Sequence, residues 1–565
     1  MRLVIREYLG MLKESGELDE LLPELLLKMG YTPTSKAQKG VRQGGVDVAV
    51  VGKDENEKEC LLLLVIKCGN ITRSVWDNGE NTVRPSLNEV RDVYLQTKVL
   101  PAHQKLPKKI ILCTNGDLHQ AVDPHWHGYV NKHTEEGMVE FEFWGGDKLA
   151  ELVETHLLDE YALPEDSRSD FRKTLALIAE PEYDLTHYYQ LLERILFYDS
   201  EDFSEDKDFK AFKQAINTCN LLLNIMFHWA ESENNLRNVL LASERSMLWG
   251  WELVRRKGYC DKAKALKRYV HILATHQKIL GAYFGKMRGH YYTRDALSVH
   301  APEHIFISES VFEQIGIVAL IGLNQVVAQH DEKVTNVILD GLINLLNNNP
   351  CSNSPCYDRH SIEINLALLF LVHAGREEDA KRWLYSLCGS LAFCFQRNRY
   401  FPIGNDSFDD AVELSVNYWK GPLVEKAQSI STVLAVLAQW CCVLGAQDSY
   451  DLLLACQKEL PKTTVQLWFP DSETEKKVYY GPAHRDTGTS LVPMQLPDTM
   501  ADFIAEIEEL SNVDFIAEYS DFSASKNAFV VILLTASRHF HMPVFPSFWQ
   551  SLIESSELTE SSGKE

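Results

Sequence analysis

The spacing of apolar residues in the N-terminal part of the chain predicts both helices and strands. Residues 18 to 29 carry leucine and methionine at the i, i+3, i+4 spacing of an amphipathic helix, which Gly30 should end. Ser86 and Glu89 have the spacing of a capping box, which predicts a second helix near 87 to 99. Apolar runs predict strands at 46 to 51, 60 to 67, 108 to 116 and 138 to 144, followed by a closing helix.

These alternating elements define the expected fold class of the first domain. Because the predicted strands are almost continuously apolar and are separated by helices, residues 1 to 165 should form an α/β domain with a mixed central sheet flanked by helices. From 170 to 460, long stretches with a period of 3.6 residues predict a large, mostly α-helical sensor or scaffold domain. Residues 461 to 565 return to mixed α/β content before a polar tail, with predicted strands in VQLWF, KKVYYG and FVVILLTASRHF.

Composition adds the class of protein to this outline. The chain of 565 residues is 45% hydrophobic and 24% charged, which is typical of a globular protein with more than one domain. Apolar runs such as 61 to 66 and 529 to 536 are shorter than the roughly 18 to 20 residues of a membrane-spanning helix. The 12 cysteines show no framework spacing. We therefore expect a cytoplasmic protein without membrane association.

The charge is distributed unevenly along the chain. A formal net charge of −24 argues against a protein that coats nucleic acid non-specifically. Residues 31 to 110, however, contain 13 Lys and Arg against 9 Asp and Glu, a local balance of 13 − 9 = +4. The predicted α/β domain therefore contains the segment best suited to a polyanionic partner.

Two charged residues stand inside otherwise apolar strands of this segment. Asp47 lies in GGVDVAVVG and Lys67 ends LVIKCG, and both would share a sheet edge if the two strands pair as a hairpin. A carboxylate at such an edge can hold a hard cation such as Mg²⁺, and a lysine can orient water and neutralise charge that develops on a phosphate. A capping aspartate and a lysine that extends to solvent are the structural alternative.

Several segments in this order resemble the restriction-endonuclease-like nucleases of the PD-(D/E)XK type, and among them the Mrr-like branch. The resemblance covers about residues 15 to 160 and includes the segments LDELLPELLLKMGY, QGGVDVAVV, LVIKCG, IILCTNGDLHQAV and FWGGDKLAELV. It implies Asp47 and Lys67 as catalytic residues, with Asp47 and Asp19 as ligands of Mg²⁺, or of Mn²⁺ in its place.

The chain departs from this family at one position. Where the family has Glu, Asp or Gln two residues before the lysine, this chain has Val65, which offers no oxygen. The same strand face carries Leu61 and Leu63, so no neighbouring carboxylate replaces the missing ligand. Asp19 would then supply the second oxygen, and water and phosphate would complete the shell. A catalytically silent site is the alternative.

Basic residues outside the strands are candidates for nucleic-acid binding. Lys36, Lys39 and Arg42 lie in the polar loop before the strand that carries Asp47. Arg255, Arg256 and Lys257 begin a basic run that continues to residue 268. This run suits a phosphate backbone. A solvated helix face is the alternative, and it is the interpretation that a charge run on a helix favours.

The resemblance implies a metal-dependent DNA endonuclease whose helical domain regulates it, as in bacterial anti-phage effectors. A first alternative is a silent nuclease fold that serves as a nucleic-acid or protein binding module in a defence complex. A second is a helical adaptor whose N-terminal domain only dimerises. The expected partner is DNA, with a protein partner or self-association through the helical domain.

Overall fold

The computed structural model divides into two compact units, Met1–Val239 and Leu240–Glu565. It describes residues 2–34, 44–54, 57–79, 81–156, 165–197, 205–298, 304–327, 331–398, 400–417, 419–420, 422–460, 463–481, 489–511 and 516–549.

A mixed five-stranded sheet forms the centre of the N-terminal part of the first unit. Its strands run in spatial order as they do along the chain: β1 (Thr32–Pro33), β2 (Val48–Lys53), β3 (Glu59–Lys67), β4 (Lys108–Thr114) and β5 (Val139–Trp144). The first three are antiparallel neighbours, whereas β3, β4 and β5 are parallel. The prediction of a mixed sheet is confirmed. The parallel strands need helical crossovers, and the chain provides them.

Helices surround this sheet and fill the rest of the first unit. They are α1 (Arg2–Met11), α2 (Asp19–Lys28), α3 (Arg73–Asp77), α4 (Val83–Glu89), α5 (Leu95–Thr97), α6 (Asp123–His133), α7 (Gly146–His156), α8 (Glu165–Leu177), α9 (Thr186–Phe197) and α10 (Glu205–Ser232). One apolar cluster joins Leu63 and Val65 of β3 to Trp76, Leu87 and Trp126 from α3, α4 and α6. Elsewhere α2 contacts β2, and α7 contacts β5.

The predicted helix near 87 to 99 begins earlier than its capping box indicated. It starts at Val83, so Ser86 is inside α4 and its hydroxyl donates to the Thr82 carbonyl at 2.9 Å. The capping-box prediction is therefore wrong. Val83 and Leu87 are both buried in the apolar cluster, and burial of this first turn extends the helix beyond the local capping signal.

The second unit is mostly helical, as predicted for the larger part of the chain. Its helices are α11 (Arg237–Arg256), which crosses the boundary between the units, α12 (Ala263–Tyr291), α13 (His304–Val327), α14 (Glu332–Asn348), α15 (Ser361–His373), α16 (Glu377–Asn398), α17 (Phe408–Val416), α18 (Pro422–Ala427), α19 (Thr432–Leu444), α20 (Gln447–Lys458), α21 (Glu475–Val478), α22 (Met500–Ser511), α23 (Ser523–Lys526) and α24 (Val531–Phe540). A small sheet has the order β6 (Ile430–Ser431), β7 (Thr464–Phe469) and β8 (Thr489–Met494).

Two of the three strand predictions near the C-terminus are wrong. VQLWF does form β7, but KKVYYG contains the short helix α21, and FVVILLTASRHF forms α24. Helix α24 packs against both α13 and α15, so most of its circumference is buried. A helix that is buried on several sides has no polar face. A short apolar segment of this kind therefore has the same sequence pattern as a buried strand.

Among the described residues, α13 is the one helix long and apolar enough to cross a membrane. Within the most apolar window of this helix, 72% is buried inside the protein. Its neighbours include α12, α14, α15 and α24. The same length and composition are found in core helices, and α13 packs as one of these.

Candidate functional site

Asp47 lies immediately before β2 and is held to β3 by two hydrogen bonds. Its backbone N–H donates to Leu64 O at 2.9 Å, and its Oδ2 accepts from Ile66 N at 2.7 Å. Although the residue is exposed at the sheet edge, enclosure of its carboxyl group raises its pKa, and the Ile66 hydrogen bond and the Lys67 charge only partly oppose this rise. The carboxylate is therefore positioned by the backbone of the strand that carries Lys67.

The structure brings the predicted charged residues into one electrostatic neighbourhood. Lys67, half-buried at the end of β3, favours the ionised form of Asp47, while Asp19 at the start of α2 opposes it. Glu14 also opposes ionisation, and sequence reasoning missed this residue. It is carried by a π-helical turn, Glu14–Leu18, that leads directly into α2. A π-helical turn has no periodic pattern in the sequence, so no local signal marks Glu14.

Val65 occupies the middle of β3 and contributes only apolar surface. It pairs in register with Leu112 of β4, is 0% exposed and belongs to the apolar cluster of this sheet. The family resemblance implies an oxygen ligand at this position, but the side chain of Val65 packs in the core instead.

The side chains around Asp47 can supply only a few ligands to a metal ion. Water and substrate phosphate would have to supply the others. No group of three His, Cys, Asp or Glu side chains in the described parts of the chain is arranged to hold a metal. Magnesium commonly uses one or two protein carboxylates and takes its other oxygens from water and substrate phosphate. Asp47 with Asp19 fits this requirement chemically, because acidic neighbours that raise the pKa of Asp47 also favour a bound cation.

Asn115, in the turn after β4, connects the site to helix α1 by side-chain hydrogen bonds. Its Nδ2 donates to Leu9 O at 2.7 Å and Leu12 O at 2.8 Å, and its Oδ1 accepts from Gly69 N at 2.7 Å. Gly69 lies two residues after Lys67. The buried amide therefore connects the end of α1 to the ends of the two central strands.

Replacing Asn115 by aspartate is expected to lower the free energy of unfolding by about 2 kcal/mol, because a carboxylate oxygen would face two carbonyl oxygens and leave them unpaired. Chemical denaturation of the full chain measures this change. Asn70→Asp is the matched control, since Asn70 is exposed and its Oδ1 accepts from Asp117 N, a contact that a carboxylate oxygen can also make. Equal stability of the two variants would show that the buried amide does not fasten α1.

The structure describes three of the six predicted nucleic-acid-binding residues. Lys36, Lys39 and Arg42 lie outside the described residues. Arg255 and Arg256, at the end of α11 in the second unit, both donate to the buried carboxylate of Glu252, at 2.7 to 2.8 Å. Lys257 follows directly and is half-buried. These arginines thus have a structural partner inside the chain, while their role in nucleic-acid binding stays a prediction.

The chain matches no protein-family model, no curated protein and no solved structure.

Proposed function

We propose that the first unit is a Mg²⁺-dependent phosphodiesterase that cleaves DNA, with a restriction-endonuclease-like sheet as its scaffold. The observation that carries this proposal is Asp47, a carboxylate fixed on the backbone of β3 within electrostatic reach of Lys67 and Asp19. The antiparallel hairpin of β2 and β3, followed by the parallel strand β4, supports it as a scaffold of the expected kind.

In this proposal Asp47 and Asp19 would hold Mg²⁺, or Mn²⁺ in its place. The bound ion would polarise the phosphate and lower the pKa of a water molecule. Lys67 binds the phosphate oxygens, orients the attacking water and offsets the negative charge that develops there. Asp47 must be ionised to bind a cation, and its raised pKa makes this ionisation depend on pH above the usual range of an aspartate.

The biological role we propose is a cytoplasmic anti-phage effector that is regulated by its helical part. This role rests on the resemblance to nucleases fused to regulatory domains. A protein partner or self-association through the helical part would provide the regulation.

The first experiment measures cleavage of plasmid and linear DNA by the full chain with Mg²⁺, Mn²⁺ or EDTA. We expect metal-dependent cleavage that falls by about 100-fold in both Asp47→Asn and Lys67→Ala, because each loses a group that stabilises the transition state. The wild-type rate should rise with pH as Asp47 ionises. Lys53→Ala is the matched control, since Lys53 lies on the adjacent strand β2 with its side chain 69% exposed.

Cleavage that persists in both Asp47→Asn and Lys67→Ala would contradict the proposed site, and cleavage in EDTA would contradict the role of the metal. If Lys53→Ala loses as much activity as Lys67→Ala, the effect is one of general surface charge rather than of the site.

Val65 favours a second candidate function, a catalytically silent fold that binds nucleic acid. Its buried side chain removes the oxygen that the resemblance implies for a metal ligand. A silent module predicts a DNA mobility shift in EDTA, with a strong salt dependence and no cleavage with either metal. The same samples therefore distinguish the two functions.

A further inference from the structure

A cavity of about 830 Å³ lies within the second unit. Its walls come from segments far apart in the sequence: the start of α13, the turns after α14, the end of α16 and the residues that follow α17. Charged and aromatic residues are among the described lining residues, namely His304, Arg397, Tyr400, Trp419 and Lys420. This volume falls in the range of about 300 to 1,000 Å³ that is typical of small-molecule sites.

The charge of this cavity is opposite to that of the chain. Arg397 and Lys420 are both exposed, and neither forms an ion pair with any residue in the described part of the structure. No aspartate or glutamate is among the described lining residues, although the chain carries a formal charge of −24. Two unpaired cations without a nearby acidic lining favour an anion, and an arginine can bind a phosphate through two parallel hydrogen bonds.

Aromatic rings form the wall beside these cations. His304 and Tyr400 meet edge to face with ring centroids 6.2 Å apart, and Tyr400 meets Trp419 in the same way at 4.9 Å. The Tyr400 hydroxyl lies 3.0 Å from Pro355 O, which fixes the orientation of its ring. Such a wall binds a planar ring by stacking, and this favours an anion that contains an aromatic group.

Trp419 follows the end of α17 and forms part of the cavity wall. Trp419 has φ = 55°, in the left-handed region that bulky residues rarely adopt, and its N–H donates to Leu414 O at 2.8 Å. The side chain is 7% exposed, and no described group accepts a hydrogen bond from its indole Nε1. This i→i−5 hydrogen bond closes the C-terminal end of α17, a common kind of helix end, and Trp419 and Lys420 then follow each other in the wall.

We propose that this cavity binds a small organic phosphate with an aromatic ring, that is, a nucleotide. Arg397 and Lys420 hold the phosphate, and His304, Tyr400 and Trp419 contact the base. The proposal is independent of DNA cleavage by the first unit, because every described lining residue belongs to the second unit.

Isothermal titration of the full chain with the 5′-monophosphates of adenosine, guanosine, cytidine and uridine, each measured separately, tests this proposal. We expect at least one to bind with a Kd in the micromolar range, and its nucleoside and inorganic phosphate each to bind at least about tenfold more weakly. In Arg397→Ala and Lys420→Ala, the nucleotide affinity should fall by about tenfold, as expected for loss of a charge-assisted contact.

Lys381→Ala is the matched control, because Lys381 lies on α16 like Arg397 but does not line the cavity. Arg397 and Lys420 are exposed, and Lys381 is half-exposed with only a surface ion pair to Glu378, so thermal unfolding should be unchanged in all three variants. The proposal is overturned if none of the four nucleotides binds at about 1 mM, a weak-affinity limit. It is also overturned if Lys381→Ala weakens binding as much as Arg397→Ala, or if inorganic phosphate alone binds as tightly as the nucleotide.

Discussion

Replacing Glu244 by glutamine is expected to lower the free energy of unfolding by about 3 to 5 kcal/mol, because it leaves a buried arginine without its counter-charge. Glu244 and Arg538 form an ion pair in which both side chains are at most 5% exposed. His539 Nδ1 lies 2.9 Å from the other oxygen of Glu244. Burial alone would raise the pKa of Glu244, yet the charge of Arg538 and the contacts of His539 outweigh burial and lower it to about 2.

Chemical denaturation of the full chain measures the effect of Glu244→Gln. Glu508→Gln on the exposed face of α22 is the control and should leave stability unchanged. The double variant Glu244→Gln with Arg538→Met should regain much of the lost stability, because it removes the unpaired charge together with its partner. A loss below about 1 kcal/mol in Glu244→Gln would place this pair with weak surface ion pairs.

Replacing Glu363 by glutamine is expected to raise the free energy of unfolding at pH 8 by about 3 kcal/mol and to have little effect at pH 5. Glu363 of α15 is buried, and its Oε2 has no hydrogen-bond partner within the described residues. Burial raises its pKa from 4.5 to about 7, despite the opposing charges of Arg359 and Arg538. Gly316 allows this packing, because a Cβ there would lie 2.9 Å from Glu363 Cγ.

The direction of this effect follows from proton binding. Between about pH 4.5 and pH 7 the unfolded chain loses the proton of Glu363 while the folded chain keeps it, so stability falls as pH rises. The fall ends above pH 7, where both states are ionised. The difference in unfolding free energy between Glu363→Gln and wild type should therefore grow across this window, and Glu508→Gln should show no such growth. A difference that is constant with pH would mean that Glu363 is ionised in the folded protein throughout.

The sheet and the pair at its edge could be predicted because their signals are local. The residue alternation of β2 and β3 places Asp47 and Lys67 at neighbouring strand ends, and in the structure the charge of Lys67 favours the ionised form of Asp47. Glu14 had no such signal, since it depends on a π-helical turn. The predicted start of the helix after Ser86 was wrong because buried contacts of Val83 outweighed a capping signal.

In the second unit, long-range contacts limit what can be predicted from the sequence. Glu244 and Arg538 are 294 positions apart, and neither residue has a neighbour in the sequence that predicts the other. The cavity likewise collects Arg397 and Lys420 from separate segments around Trp419. A left-handed φ at a tryptophan has no local sequence signal, because glycine and asparagine are the usual residues there.

The position of Arg538 along the chain also has a consequence for biosynthesis. Proteins emerge from the ribosome from the N-terminus onward, and α11 with Glu244 is complete long before α24 is made. Until residue 538 has been translated, Glu244 lacks the arginine that forms its buried ion pair. A nascent chain can therefore bury this carboxyl group only in its protonated, neutral form. Truncated products that lack α24 would also lack the lowered pKa that Arg538 and His539 give to Glu244.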